Sequence, residues 1–203
     1  MSADALPPRS RREWMARALA LGGLGLFRGA EPLVAQQLPL TPACHDGDEP
    51  TLPEIEGPFF KPRSPEREDL TIAGARGRPA EITGTVFTRG CRPLPRALVD
   101  LWHADDAGEY ENRGFRYRGH VLTDAQGRYR FRTIMPGLYP GRTRHYHVKV
   151  QAPGQPRLLT TQLYFPNEPF NSRDDFFHRE LVMQVGEANA GITARFDFIV
   201  DVR

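Results

Sequence analysis

The sequence has no long apolar run and no excess of one charge, and each absence excludes a class of protein. No stretch approaches the roughly 20 consecutive apolar residues that a membrane-spanning helix needs. The 27 basic and 25 acidic residues give a formal net charge of +2 and are mixed along the chain. They therefore do not form the clustered basic face of a nucleic-acid-binding protein. We expect no nucleic-acid partner and, for the mature protein, no membrane partner.

The N-terminus is typical of an export signal. The pair Arg11-Arg12 precedes an apolar, glycine-rich run over residues 18–27 and then a small residue, Ala35. This pattern resembles a twin-arginine signal. The alternative is an ordinary amphipathic helix, but the glycines in the run would weaken such a helix by roughly 1 kcal/mol each. We expect residues 1–35 to be a twin-arginine-type signal segment, and the mature protein to be exported to the periplasm.

Cysteine is also scarce, because the chain has only Cys44 and Cys91. In an oxidising compartment such a pair commonly forms a disulfide. Closing the loop between them would stabilise the fold by about 4 kcal/mol in the chain-entropy model. The alternative is two unrelated buried thiols. Export favours the disulfide.

Turn-forming residues are abundant, with 19 prolines and 19 glycines among 203 residues. Residues 36–75 are too rich in proline for a helix, so we expect an extended arm packed on the core through Ile55, Phe59 and Phe60. Residues 76–203 hold short segments in which apolar and polar residues alternate, as in half-buried strands. We expect an all-β fold, a β-sandwich with an extended N-terminal arm and little helix. The strand segments are 81–87, 97–102, 128–133, 145–150, 158–165 and 195–202, with one short helix within 174–184.

The middle of the chain contains a row of five arginines. Several of them alternate with apolar residues at strand spacing, which predicts one solvated face rather than a binding site. The row consists of Arg116, Arg118, Arg128, Arg130 and Arg132.

A His-x-His pair lies on one predicted strand. Side chains two residues apart on a strand share a face, so His145 and His147 point the same way with Cα atoms roughly 7 Å apart. Two imidazoles at this spacing can reach one metal ion, although two surface histidines would show the same pattern. Tyr139 lies at the turn that precedes this strand, and Tyr110 follows another turn. A phenol, with a pKa of about 10, gives up its proton only to a hard cation, so ferric iron suits this set better than zinc.

Six motifs together resemble the intradiol ring-cleavage dioxygenases of the catechol and protocatechuate type. The resemblance runs from about Thr51 to the C-terminus. Each motif is weak alone, but all six occur in the order typical of the family. They are residues 56–59, residues 98–105 with 108–110, residues 123–131, residues 133–139, the Arg142-x-x-His145-x-His147 segment, and residues 161–165.

The resemblance implies an enzyme with one non-haem Fe(III). The family splits the ring of a catecholic substrate between its two hydroxylated carbons with O2, giving a muconate-type dicarboxylate. Carried over position by position, the metal ligands are Tyr110 and His145 in the equatorial plane and Tyr139 and His147 on the axis.

Three residues acquire further roles through the same resemblance. Tyr139 would leave the iron when the catechol binds and help to take up its protons. Arg142 would place a fixed positive charge beside the ring. Gln162 would belong to the pocket.

The sequence also departs from the family and leaves alternatives open. Only five residues separate Tyr139 from His145, whereas the long-chain cytosolic members of the family have a larger insertion there. The helical dimerisation segment of catechol-type enzymes also has no counterpart before the β core. This indicates a small exported subgroup, with the individual catechol and the oligomeric state undetermined. One rival is a non-enzymatic transthyretin-like or immunoglobulin-like binding module, which needs no metal. A second is a cupin-like metal enzyme, although the glutamate and second histidine motif expected there are absent.

Overall fold

The computed structural model describes Cys44 and residues 49–202. The predicted signal segment, residues 1–35, lies outside this part of the chain. Within the described residues, no helix is both long and apolar enough to cross a membrane.

Two β-sheets form the described part of the chain, which confirms the all-β sandwich. One sheet has five strands, in the order β4-β1-β8-β7 with β9 also paired to β1, and the other has four, in the order β3-β2-β5-β6. The strands are β1 (Pro79–Thr88), β2 (Leu98–Trp102), β3 (Arg118–Leu122), β4 (Arg128–Ile134), β5 (His145–Gln151), β6 (Leu158–Tyr164), β7 (Gln184–Ala188), β8 (Gly191–Arg195) and β9 (Phe198–Val200).

The core lies between the two sheets. Ile82 and Phe131 face it from one sheet, and Leu101, Val148 and Leu163 face it from the other; all five are at most 1% exposed. Burying each such side chain contributes about 1.5–3 kcal/mol. Residues with even numbers in β2 and odd numbers in β5 are thereby directed to the opposite face of the four-stranded sheet. That outer face carries the histidines.

The proline-rich segment runs across the core as an extended chain. The Glu54 amide donates to the Thr160 carbonyl, and the Arg67 amide donates to the His120 carbonyl, at 2.8 and 2.9 Å. Phe60 packs on Trp102 with ring centroids 5.0 Å apart. The predicted contact through Ile55 is wrong, because that side chain is 46% exposed. Its backbone, rather than its side chain, reaches the core, as the site below shows.

The predicted disulfide is present. Cys44 is bonded to Cys91, with Cα atoms 5.5 Å apart and a sequence separation of 47. Cys91 lies in the turn after β1, so the bond ties the beginning of the arm to the core.

Two predicted segments differ from the structure. The helix expected within residues 174–184 is only a three-residue 3-10 turn, Arg179–Leu181. The strand expected over residues 195–202 is interrupted: it contains the last residue of β8 and, after a break at residues 196 and 197, the whole of β9. β8 and β9 pair with successive parts of β1. Gly84 of β1 makes the division possible, because a Cβ there would lie only 1.7 Å from the Phe196 carbonyl oxygen.

The arginine row does not form one solvated face. Arg128, Arg130 and Arg132 point outward from β4 as predicted, while Tyr129 and Phe131 face the core. Arg118, however, is 1% exposed. Arg118 begins β3, and the arm lies on this strand. The prediction that Arg118 is exposed, which was based on strand spacing alone, is therefore wrong.

Candidate metal centre

The two histidines of β5 meet on the outer face of the four-stranded sheet. The ring centroids of His145 and His147 are 4.7 Å apart, and their Nε2 atoms are 3.1 Å apart. Both side chains are at least 96% buried, whereas Tyr146 between them faces the core. The shared face expected from the sequence is therefore confirmed, and the alternative of two surface histidines is excluded.

Tyr110 brings an oxygen to the same point. Its hydroxyl oxygen lies 3.2 Å from His145 Nε2. The Tyr139 ring meets the Tyr110 ring edge to face, with an interplanar angle of 73° and centroids 5.7 Å apart. The structure thus gathers all four predicted ligand residues, three of them through polar atoms and Tyr139 through its ring.

Two glycines let the tyrosine-bearing segments approach each other. Gly108 has a φ of +85°, and a Cβ there would lie 2.1 Å from the Leu138 carbonyl oxygen. The Gly137 amide donates to the Asp105 carbonyl at 2.7 Å, and the Asp105 carboxylate accepts the Glu109 amide at 3.0 Å. Tyr110 and Tyr139 therefore enter the site from two turns that are bonded together.

The surroundings fix the orientation of both imidazoles. His145 Nδ1 donates to the Thr143 carbonyl at 2.7 Å, so its Nε2 carries a lone pair. His147 is stacked on Trp102, with centroids 4.9 Å apart and planes 6° from parallel. Gly57 of the arm lies against the same ring, because a Cβ there would be 3.3 Å from His147 Cε1. His147 Nδ1 is buried without a hydrogen-bond partner among the described residues.

Burial sets the protonation states in the site. It lowers the pKa of His145 to about 4, with help from the Arg142 charge, so that this imidazole is neutral at pH 7. It also lowers the pKa of His147 well below its ordinary value, together with the nearby His145 and arginine charges. Burial raises the pKa of Tyr110, and the positive charges of Arg142 and Arg118 oppose that effect.

These donors fit a hard trivalent cation. His145 Nε2 lies 3.1 Å from His147 Nε2 and 3.2 Å from the Tyr110 hydroxyl oxygen, and a second phenol ring, that of Tyr139, lies beside them. Imidazole suits several transition metals, whereas a phenol releases its proton only to a strongly polarising ion. Within the described residues, no three His, Cys, Asp or Glu side chains form a metal-binding group. The oxygen donors beside the imidazoles are therefore the two tyrosines.

Arg142 stands beside the imidazoles in a fixed orientation. Its Nε donates to both oxygens of Asp174, at 3.0 and 2.9 Å, and its Nη2 donates to Gln162 Oε1 at 2.7 Å. The Asp174 carboxylate is fully buried. Gln162 in turn donates to the Ile55 carbonyl at 3.1 Å, so the arm, the sheet and the Arg142 turn are joined. The guanidinium also lies over the Phe176 ring, 4.7 Å from its centroid.

Arg144 is turned away from this network. It donates to the Pro136 carbonyl at 2.5 Å and forms an ion pair with Glu168. Two arginines separated by one residue thus have different environments.

Sequence reasoning missed three residues that shape the site. Phe59 was assigned only to packing, but its ring is stacked on Tyr110 at 4.3 Å and meets the edge of Tyr139 at 5.6 Å. Asp174 was placed in a helix, and no feature of the sequence marked it as the partner of Arg142. Arg118 was assigned to the surface, and no strand was predicted at residues 118–122, so nothing in the sequence marked it as buried.

Comparison with known proteins points to one family. A family model described as "Dioxygenase" matches residues 55–202. The chain is 35% identical to the protocatechuate 3,4-dioxygenase beta chain of Burkholderia cepacia over 113 residues, 47% of this chain and 48% of that protein. It is 32% identical to catechol 1,2-dioxygenase of Acinetobacter baylyi over 151 residues, 60% of this chain and 48% of that protein. The chain spans about half the length of these curated relatives.

Solved structures agree with this result. The dioxygenase domain of a dioxygenase carbohydrate-binding protein fusion from Streptomyces sp. SirexAA-E is 52% identical, with a TM-score of 0.74. This chain is covered to 76% and that domain to 100%. The 3-chlorocatechol 1,2-dioxygenase of Rhodococcus opacus 1CP is 27% identical, with a TM-score of 0.70 and coverage of 76% and 73%.

The family match covers more than half of the chain and includes every residue of the site described above. It favours neither a transthyretin-like or immunoglobulin-like binding module nor a cupin. The chain belongs to the intradiol ring-cleavage dioxygenase family.

Proposed function

We propose that this protein is a non-haem Fe(III) dioxygenase that opens the aromatic ring of a catechol. O2 is inserted between the two hydroxylated carbons, and the product is a muconate-type dicarboxylate. The observation that carries the proposal is that His145 Nε2 lies within 3.2 Å of both the Tyr110 hydroxyl and His147 Nε2, in a chain matched to the family over residues 55–202. The names of the relatives, which include catechol, hydroxyquinol and protocatechuate dioxygenases, support a catecholic substrate.

Four residues would hold the iron: Tyr110, Tyr139, His145 and His147. Bound there, ferric iron would hold both oxygens of a catechol and withdraw electron density, which makes the ring reactive toward O2. The residues around it prepare the donors. Thr143 fixes the His145 tautomer, and the Trp102 stack fixes the plane of the His147 ring.

Tyr139 is suited to move a proton. Unlike the histidines, it is only partly buried, and it begins the turn that contains Pro140 and Gly141. We assign to Tyr139 Oη the uptake of a proton from a substrate hydroxyl. Tyr110 is held by the stacked Phe59 ring and has less freedom.

Arg142 would supply a fixed positive charge next to the bound ring. Asp174 and Gln162 occupy its Nε and Nη2 atoms and leave Nη1 as the end without a partner among the described contacts. Because the guanidinium is already oriented, it can stabilise developing negative charge on the ring without reorganisation. Phe59 covers one face of the Tyr110 ring, and Trp102 covers one face of the His147 ring.

Iron binding tests the proposal most directly. Purified full-length protein should hold one iron per chain and be red-brown, because phenolate-to-Fe(III) charge transfer absorbs visible light. Tyr110→Phe should shift or abolish this band. Tyr117→Phe is the matched control, since Tyr117 is another buried tyrosine but lies outside the site. A colourless wild-type protein with stoichiometric zinc would contradict the proposal.

Oxygen uptake on a panel of catechols tests the reaction. Catechol, protocatechuate, hydroxyquinol and lignin-derived diols should be compared, with identification of the product. We expect at least one to consume one O2 per ring and give a muconate-type diacid. A product cleaved beside the diol, rather than between its hydroxyls, would refute the intradiol assignment.

We also propose that the protein acts outside the cytoplasm. The Cys44–Cys91 disulfide supports this, because disulfides persist in oxidising compartments. The N-terminal pattern points to the twin-arginine route, which carries folded proteins and would allow iron to be loaded before export.

A further inference from the structure

Arg118 is a buried cation whose contacts are carbonyl and amide oxygens. It is 1% exposed, and among the described residues no carboxylate lies within ion-pair distance of it. Its Nη1 donates to the Phe59 carbonyl at 2.5 Å. Its Nε and Nη2 both donate to the Glu111 carbonyl, at 3.2 and 2.9 Å, and Nη2 also approaches Asn112 Oδ1 at 3.4 Å.

These oxygens belong to two segments that come together at Tyr110. Glu111 directly follows Tyr110, and the Phe59 ring is stacked on the Tyr110 ring with planes 10° apart. One guanidinium therefore donates to the backbone of Phe59, which is stacked on Tyr110, and to the backbone of Glu111, which follows Tyr110. A planar group with several donors in a fixed fork is suited to joining two chain segments in one geometry.

The segment after Tyr110 depends on such contacts because it lies outside the strands. The Glu111 carboxylate closes it into a loop by accepting the backbone amides of Gly114 and Arg116. Lys61 of the arm adds a second link, since its Nζ donates to the Gly114 carbonyl at 2.6 Å. Arg118 provides the link nearest to Tyr110, and it is the more buried of the two cations.

We propose that Arg118 is a positioning residue that holds Tyr110 at the metal centre by joining the Phe59 and Glu111 backbones. Its effect on iron rests on the proposed function, whereas its effect on the Tyr110 segment does not. The role differs from that of Arg142, because the Arg118 side chain donates to backbone carbonyls and to Asn112 Oδ1, and to no polar atom of the four proposed ligands. It acts through the backbone of Phe59, whose ring is stacked on the tyrosine, and of Glu111, which follows the tyrosine.

The test compares Arg118→Lys and Arg118→Met with wild type in the full-length protein. Lysine retains the charge but cannot bond to both carbonyls in the same way. Arg116→Met is the matched control, because Arg116 is exposed and lies two residues away. Hydrogen exchange is measured with and without added Fe(III), together with an iron titration followed in the visible band.

We expect amide exchange over residues 109–114 and 58–60 to accelerate at least tenfold in both Arg118 variants, while the core strands β1 and β5 stay protected. Iron should bind about 10- to 100-fold more weakly, the range found when residues that orient metal ligands are removed. The charge-transfer band should shift, with a smaller change in Arg118→Lys than in Arg118→Met. Arg116→Met should match wild type.

Two results would overturn the proposal. One is unchanged exchange over residues 109–114 in both Arg118 variants. The other is acceleration spread evenly over the core strands, which would make Arg118 a general stability residue. If the wild-type protein binds no iron, the proposed function fails, but exchange in the iron-free chain still decides whether Arg118 positions Tyr110.

Discussion

The Arg142–Asp174 pair offers the sharpest test of how the site combines stability with chemistry. The Arg142 side chain is 14% exposed and the Asp174 carboxylate is fully buried. Asp174 also accepts the backbone amides of Thr143 and Phe176, at 2.9 and 3.0 Å. Removing the guanidinium would leave a buried carboxylate without its cation, which costs about 3–5 kcal/mol when a buried pair is broken on one side.

A double-mutant cycle separates the two roles. Arg142→Met should lower the free energy of unfolding by about 3–5 kcal/mol, measured by urea unfolding at pH 7. Asp174→Asn should also destabilise the protein. The double variant should lose less free energy of unfolding than the two single variants lose together, with a coupling energy of about 0.5–3 kcal/mol. Asparagine retains the shape of the side chain, so the cycle reports the charge pair rather than a cavity.

Turnover should follow a different pattern. Arg142→Met should leave iron content nearly intact and still bind catecholate, but lower kcat by about 10²–10³-fold, the scale for losing one electrostatic stabiliser. Asp174→Asn keeps the guanidinium and its bond to Gln162, so its loss of kcat should be smaller. Arg144→Met is the control, because Arg144 pairs with Glu168 away from the site.

The result that would refute this reasoning is specific. If Arg142→Met, assayed while fully folded and loaded with iron, loses no more turnover than Arg144→Met, the guanidinium has only a structural role. The pair would then be an ion pair that happens to lie beside the imidazoles.

Three further predictions concern the rest of the chain. His103 is buried and neutral, with a pKa lowered by burial to about 4. Unfolded, it takes up a proton near pH 6.5, so it should remove about 3 kcal/mol of stability as the pH falls from 6.5 to 4. His103→Gln should show a shallower decline in urea unfolding over that range, and an identical decline would contradict the assignment. Non-reducing mass spectrometry of the exported protein should find Cys44 joined to Cys91, and reduction should cost about 4 kcal/mol. Two alkylatable thiols would be the opposite result. Changing Arg11 and Arg12 to Lys should retain the protein in the cytoplasm on cell fractionation; unchanged export would argue against the twin-arginine route.

Much of the fold could be predicted because alternation is a local property. In β4 the pattern of Arg128, Tyr129, Arg130 and Phe131 assigns each side chain to a face, and the structure agrees. The same rule placed His145 and His147 on one face. Alternation could not reveal the break between β8 and β9, since that depends on the close approach of the Phe196 carbonyl to Gly84.

Local patterns also failed where a second layer covers the sheet. Arg118 belongs to a row of arginines spaced like surface residues, but the arm passes over β3 and buries it. Asp174 lies in a stretch with no regular structure of its own, and it acquires its role only by meeting Arg142 from 32 residues away. Neither contact leaves a trace in the spacing of nearby residues.

The sequence by itself determined the all-β class, the family, and the four residues proposed to hold iron; it favoured the pairing of the two cysteines, which the structure then showed. These follow from residue types and short-range order, which do not change when the chain folds. Only the tertiary structure decided how close the donors come, which imidazole nitrogen is free, and which arginines are buried. Those properties depend on segments distant in sequence, the arm, the Tyr110 loop and the Asp174 turn, being packed on one face of the sheet.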